Sequence, residues 1–191
     1  MQQKYIYIVL VRAWTGLGFI ARRVMSYEYS HIAVCLKEPL EDFITFSRRN
    51  HYTPWNCGFM HETMECYLFG KLESVKLKVF KVPVDDEKFE NIVSYIDEVE
   101  NDKSIKFNIF GMITMPILHG VYRKKKHNSM SFTGKILEIS GSVKMEKPFY
   151  KYNIKEMDDM LTAAFGEGKE GYYESSNSKF WSWKQNGRFD E

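Results

Sequence analysis

Seven consecutive apolar residues, Tyr5 to Val11, constrain this chain most. A strand with no polar face must be covered on both sides, so the run predicts a central strand between two packed layers. The apolar run Ile6 to Val11 is too short for a signal peptide's hydrophobic region and ends at Arg12. Thr15-Gly16-Leu17-Gly18 then breaks the pattern, and Phe19 to Met25 reads as a short helix. In a second strand, His31 to Leu36, the period of two puts His31, Ala33 and Cys35 on one face and Ile32, Val34 and Leu36 on the other. Further strands are expected at Phe43–Phe46, Met60–Leu68 and around Val75, Leu77 and Val79, with a polar loop over Arg48–Asn56.

The second half of the chain is helical in period. Phe89, Ile92, Val93, Ile96 and Val99 follow 3.6-residue spacing after Asp85 and Asp86, either of which can cap a helix, and Asn101-Asp102 ends it. A helix is expected over Phe132–Ile139, stopped by Gly141. Another begins near Asn153, with Ile154, Met157, Leu161 and Ala164 on one side. Early strands and late helices predict an α+β fold. From Gly166 the composition turns to glycine, serine and aromatic residues. We therefore expect one domain over residues 1–165 and an extension over 166–191, with a strand packed back on the sheet as the alternative.

At 191 residues the chain has room for one domain, and 44% apolar against 27% charged residues excludes wholesale disorder. A net charge of +2 carries no global polyanion-binding signature. Three cysteines argue against a disulfide scaffold and for a reducing, cytoplasmic setting. The apolar stretch Ile109–Leu118 is short of a membrane span and is interrupted by Gly111 and Pro116.

His31 becomes chemically interesting only with a partner. An imidazole base needs an orienting acid and a nucleophile, brought together by folding. Glu62, in Gly58-Phe59-Met60-His61-Glu62, is the candidate orienter. Thr15-Gly16, Ser30-His31-Ile32-Ala33-Val34, Phe46-Ser47-Arg48-Arg49-Asn50 and Gly58-Phe59-Met60-His61-Glu62 occur in the order seen in circularly permuted papain-like proteins. The chain thus resembles the NlpC-type cysteine hydrolase superfamily, its YiiX-like branch, found in low-GC bacteria and their phages, over about residues 4 to 162.

The resemblance implies a papain-like antiparallel sheet with helices packed on it, His31 as base and Glu62 as third polar residue. The family hydrolyses amide bonds, or transfers acyl groups, through a cysteine that opens a helix in an aromatic-Cys-Ser/Thr-x-Phe-Val motif. This chain reads Ser129-Met130-Ser131-Phe132-Thr133-Gly134, and alignment of the motif puts Phe132 on the cysteine, its ring against the histidine. Phenylalanine supplies no nucleophile. The implied protein is catalytically degenerate and binds or regulates a macromolecular partner. The alternative is an active hydrolase using His31 with Ser131, or with Cys57 from the Pro/Trp-rich loop and His61, His119 or His127 as base.

Cys35 reads as a small core residue, and Cys66 has no second ligand pair, so neither metal nor cofactor is expected. Arg123-Lys124-Lys125-Lys126 is the one dense basic run. It reads as a solvated loop or as a contact for nucleic acid or anionic lipid. Trp181 and Trp183 in the tail are candidate anchors for a protein partner.

Overall fold

A computed structural model describes residues 3–12, 27–49, 56–67, 74–108 and 123–174. Eight strands lie among them: β1 Lys4–Val11, β2 His31–Cys35, β3 Phe43–Arg48, β4 Cys57–Glu62, β5 Ser74–Val84, β6 Lys106–Phe107, β7 Lys126–His127 and β8 Lys169–Glu174. The α-helices are α1 Asp86–Asn101, α2 Ser129–Ser140 and α3 Ile154–Phe165. Six strands form one antiparallel sheet in the order β4-β3-β2-β1-β5-β8; β6 and β7 form a small parallel pair. The fold is α+β.

The apolar run forms β1 in the middle of that sheet. Ile6, Ile8 and Leu10 join Ile32, Val34, Phe46, Phe80 and Val82 under the helices, and are met there by Ile92, Ile96, Ile136, Leu137, Met157 and Leu161. Tyr7, Val9 and Val11 point the other way into a second core with Ala33, Cys35, Leu40, Phe43, Met64, Tyr67, Val75, Leu77 and Val79. Each fully buried aliphatic side chain contributes roughly 1.5–3 kcal/mol, so a polar residue anywhere in Ile6–Val11 would be felt on one core or the other.

Several boundaries differ from the sequence reading. α2 begins three residues earlier than expected because Asn128 caps it: the Asn128 side chain accepts the Ser131 N–H at 2.8 Å, and Ser131 Oγ accepts the Asn128 N–H at 3.0 Å. Gly141 closes it in the left-handed conformation, φ +64°. Inside α2, a Cβ on Gly134 would stand 2.6 Å from the Phe149 carbonyl oxygen, so only glycine lets this segment pack. Instead of one strand over Met60–Leu68, β4 lies earlier and a short 3-10 helix, Met64–Tyr67, follows it. Ala164, expected on the apolar side of α3, is exposed.

The sheet runs past the expected boundary at residue 165, as in the alternative of a strand packed back on it. β8 pairs with β5 from Val79↔Lys169 to Ser74↔Glu174, so the sheet continues through residue 174. Tyr29 OH donates to Glu170 Oε1 at 2.6 Å and Lys76 Nζ lies 2.9 Å from Glu170 Oε2, which ties the strand in place. The expected Phe19–Met25 helix and residues 50–55 lie outside the described residues.

Candidate functional site

His31 opens β2 opposite Val11, and its side chain follows the odd-numbered face that carries Ala33 and Cys35. There Nε2 meets Glu62 Oε2 at 3.1 Å. Tyr67 OH donates to the same oxygen at 2.8 Å, and Ser47 Oγ donates to Oε1. The Tyr67 ring flanks the imidazole, centroids 5.7 Å apart. Side-chain exposure falls to 15% for His31 and 7% for Glu62.

These contacts settle the protonation of the acid. Burial pushes the Glu62 carboxyl up, but the charge of His31 and hydrogen bonds from His31, Ser47 and Tyr67 outweigh it and hold the group below its ordinary value. Burial and Glu62 push the Tyr67 phenol well up, so it stays a donor. Whenever the ring is neutral, donation from Nε2 to the carboxylate leaves its lone pair on Nδ1. Nδ1 has no hydrogen bond among the described residues. Chemically this is a base oriented by an acid, with the accepting nitrogen open.

The expected neighbour of that nitrogen stands elsewhere. Phe132 is fully buried on the helix-covered face, with Phe46, Phe59 and Tyr95 at ring distances of 5.4, 5.9 and 5.9 Å. The imidazole beside it is His127, 6.4 Å away, and not His31. This corrects the expectation of a phenylalanine ring packed on His31. The cause is strand parity: Ile32 and Val34 face α2, and His31 faces away.

Ser131 is not brought to His31 either. It is buried, and its oxygen serves the α2 cap, accepting from Asn128 N–H and donating to the Asn128 carbonyl at 3.3 Å. The helix opens at half-buried Ser129, so the residue presented at the positive helix terminus is 129, a position the sequence reading passed over. Cys57 starts β4, where it pairs with Arg48 and is half-buried. Of the histidines proposed for it, His61 is engaged by Asp42 at 2.7 Å and Glu100 at 3.6 Å, and His119 lies outside the described residues. Burial raises the Cys35 thiol well above its ordinary value, which makes it unreactive.

The chain matches no family model, no curated protein and no solved structure. Among the described residues no group of three or more His, Cys, Asp or Glu side chains is placed to hold a metal, and no helix is long and apolar enough to cross a membrane.

The basic run forms a turn. Lys126 N–H donates to the Arg123 carbonyl at 3.0 Å, and Lys125 adopts φ +61°. Lys125 Nζ reaches Asp102 and Ser104, each at 2.9 Å, whereas Lys124 is exposed. Trp181 and Trp183 lie outside the described residues. An open groove of about 530 Å³ between Val143–Tyr152 and α3 is lined by none of the candidate catalytic or partner-binding residues. Of the two supports of Glu62, the sequence reading takes Ser47 only as part of the Phe46–Asn50 motif and does not single out Tyr67. Tyr67 sits five residues after Glu62 on the 3-10 turn, a spacing that carries no recognisable signal.

Proposed function

We propose that this chain is a permuted papain-like protein of the NlpC type that has kept the base and acid of a hydrolase site without a working nucleophile, and that it acts by binding a macromolecular partner. One observation carries the reading: among the described residues, the Glu62-anchored imidazole of His31 has no hydroxyl or thiol hydrogen-bonded to it. Ser131 is consumed by its helix cap, and Phe132 belongs to the core beyond the sheet. The antiparallel sheet with helices on it supports the fold assignment.

A second reading, an active hydrolase, is favoured by the open Nδ1 of a Glu62-anchored imidazole. A serine-directed fluorophosphonate and a cysteine-directed electrophile separate the two. The binding reading expects no labelling that depends on His31. A residue labelled in the wild type and spared in His31→Ala would replace it with the hydrolase reading, and peptide mapping would name the nucleophile. For the partner arm, Trp181→Ala/Trp183→Ala is the appropriate variant, since cutting after Gly166 would also remove β8.

A further inference from the structure

We infer that the His31 face of the sheet binds the C-terminal residue of a peptide, with Arg49 taking its carboxylate and Nδ1 of His31 its amide N–H. The inference rests on the binding reading above, because a nucleophile bonded to Nδ1 would leave no place for the ligand. Arg49 follows β3, where its N–H donates to the Asn56 carbonyl at 2.7 Å. Its guanidinium lies over Gly58: a Cβ built on that glycine would stand 2.8 Å from Nη2. Residues directly opposite on antiparallel strands share a face. Gly58 lies opposite Ser47, and Ser47 and His31 both reach Glu62 on the reverse of the helix-covered side. The missing side chain at 58 therefore seats the guanidinium on the face that carries the open imidazole.

Arg49 is exposed, and among the described residues its guanidinium has no hydrogen bond or ion pair. Glu62 is already engaged by His31, Ser47 and Tyr67. A free guanidinium matches a planar carboxylate, which it holds through two parallel N–H···O bonds. The neutral imidazole accepts at Nδ1, so its ligand must bring a donor. The last residue of a peptide carries both groups on one Cα, an N–H and a singly charged carboxylate. A phosphate dianion brings no donor, and it would face the Glu62 carboxylate with one guanidinium to offset the repulsion.

NMR titration of the full chain with N-acetylalanine, the smallest molecule that carries both groups, tests this. We expect saturable shifts at His31 and Gly58. N-acetylalaninamide should bind roughly tenfold more weakly, and propionate, which has no N–H, about fivefold more weakly. Arg49→Gln, at an exposed position, lowers the affinity for N-acetylalanine roughly tenfold. Gly58→Ala keeps the charge but crowds the guanidinium from its seat, and lowers it about threefold. Lys151→Gln, exposed on the short turn that packs on α2, leaves it unchanged. Equal binding of acid and amide, no saturable binding, or wild-type affinity in Arg49→Gln overturns the inference. So does inorganic phosphate that displaces N-acetylalanine at equal concentration. Each of these results leaves the binding reading of His31 standing, whereas labelling that depends on His31 removes both.

Discussion

His127 shows how one side chain ties acid stability to packing. It sits among Phe46, Tyr95 and Phe132, and burial, then Lys135, lowers its pKa from 6.5 to about 4. The unfolded chain takes up the proton first, so stability is complete above pH 6.5 and falls as pH drops from 6.5 towards 4. The loss is about 1.4 kcal/mol per pH unit, roughly 3 kcal/mol in all. Urea titrations should show that slope in the wild type and a flatter one in His127→Gln. Glu62, whose folded pKa is lowered, adds stability that is present above its ordinary 4.5 and lost only as pH falls through the lowered value. Phe132 is core: Phe132→Ala should cost about 3–5 kcal/mol in the same assay, whereas a residue lining an open cleft would cost far less. Its size and apolarity were legible in the sequence. Its neighbours were not, because the spacing within one helix does not say which aromatic residues of β3, β4 and α1 will close around it.

At the scale of elements, α3 is held to the sheet by a buried charge. Lys78 Nζ on β5 lies 2.8 Å from Asp158 Oδ1, both side chains about one-tenth exposed, and Tyr27 and Thr162 donate to the same carboxylate. Asp158→Ala leaves Lys78 buried with its remaining partner Glu167 largely exposed, and should destabilise the protein by about 3–5 kcal/mol in chemical denaturation. β8 protects the other edge. A chain ended after Gly166 bares β5 and should unfold at lower denaturant and self-associate in sedimentation; an unchanged midpoint would make β8 an ornament of the sheet. α1 and α3 could be read from their 3.6-residue period, and β1 from its unbroken apolar run. The start of α2 depends on the reciprocal Asn128–Ser131 cap, and β8 on long-range pairing with β5. Neither leaves a periodic trace.

Across the whole molecule, the two-sided sheet decides what the site can be. Parity already separated His31 from Ile32 in the sequence. Both faces of β1 are apolar, however, so nothing in the pattern said which face the helices would cover. The structure puts α2 over Ile32 and leaves His31 with Glu62 and Tyr67 on the reverse. The family resemblance, taken with Phe132 in the cysteine position, requires residue 132 to meet His31; the sheet stands between them. Phe132→Cys tests this most directly, through the rate at which iodoacetamide alkylates the new thiol in the native protein. The account predicts a thiol protected until denaturant is added and indifferent to His31→Ala. Rapid native alkylation, with the low-pH onset of a thiolate and slowed by His31→Ala, would contradict it.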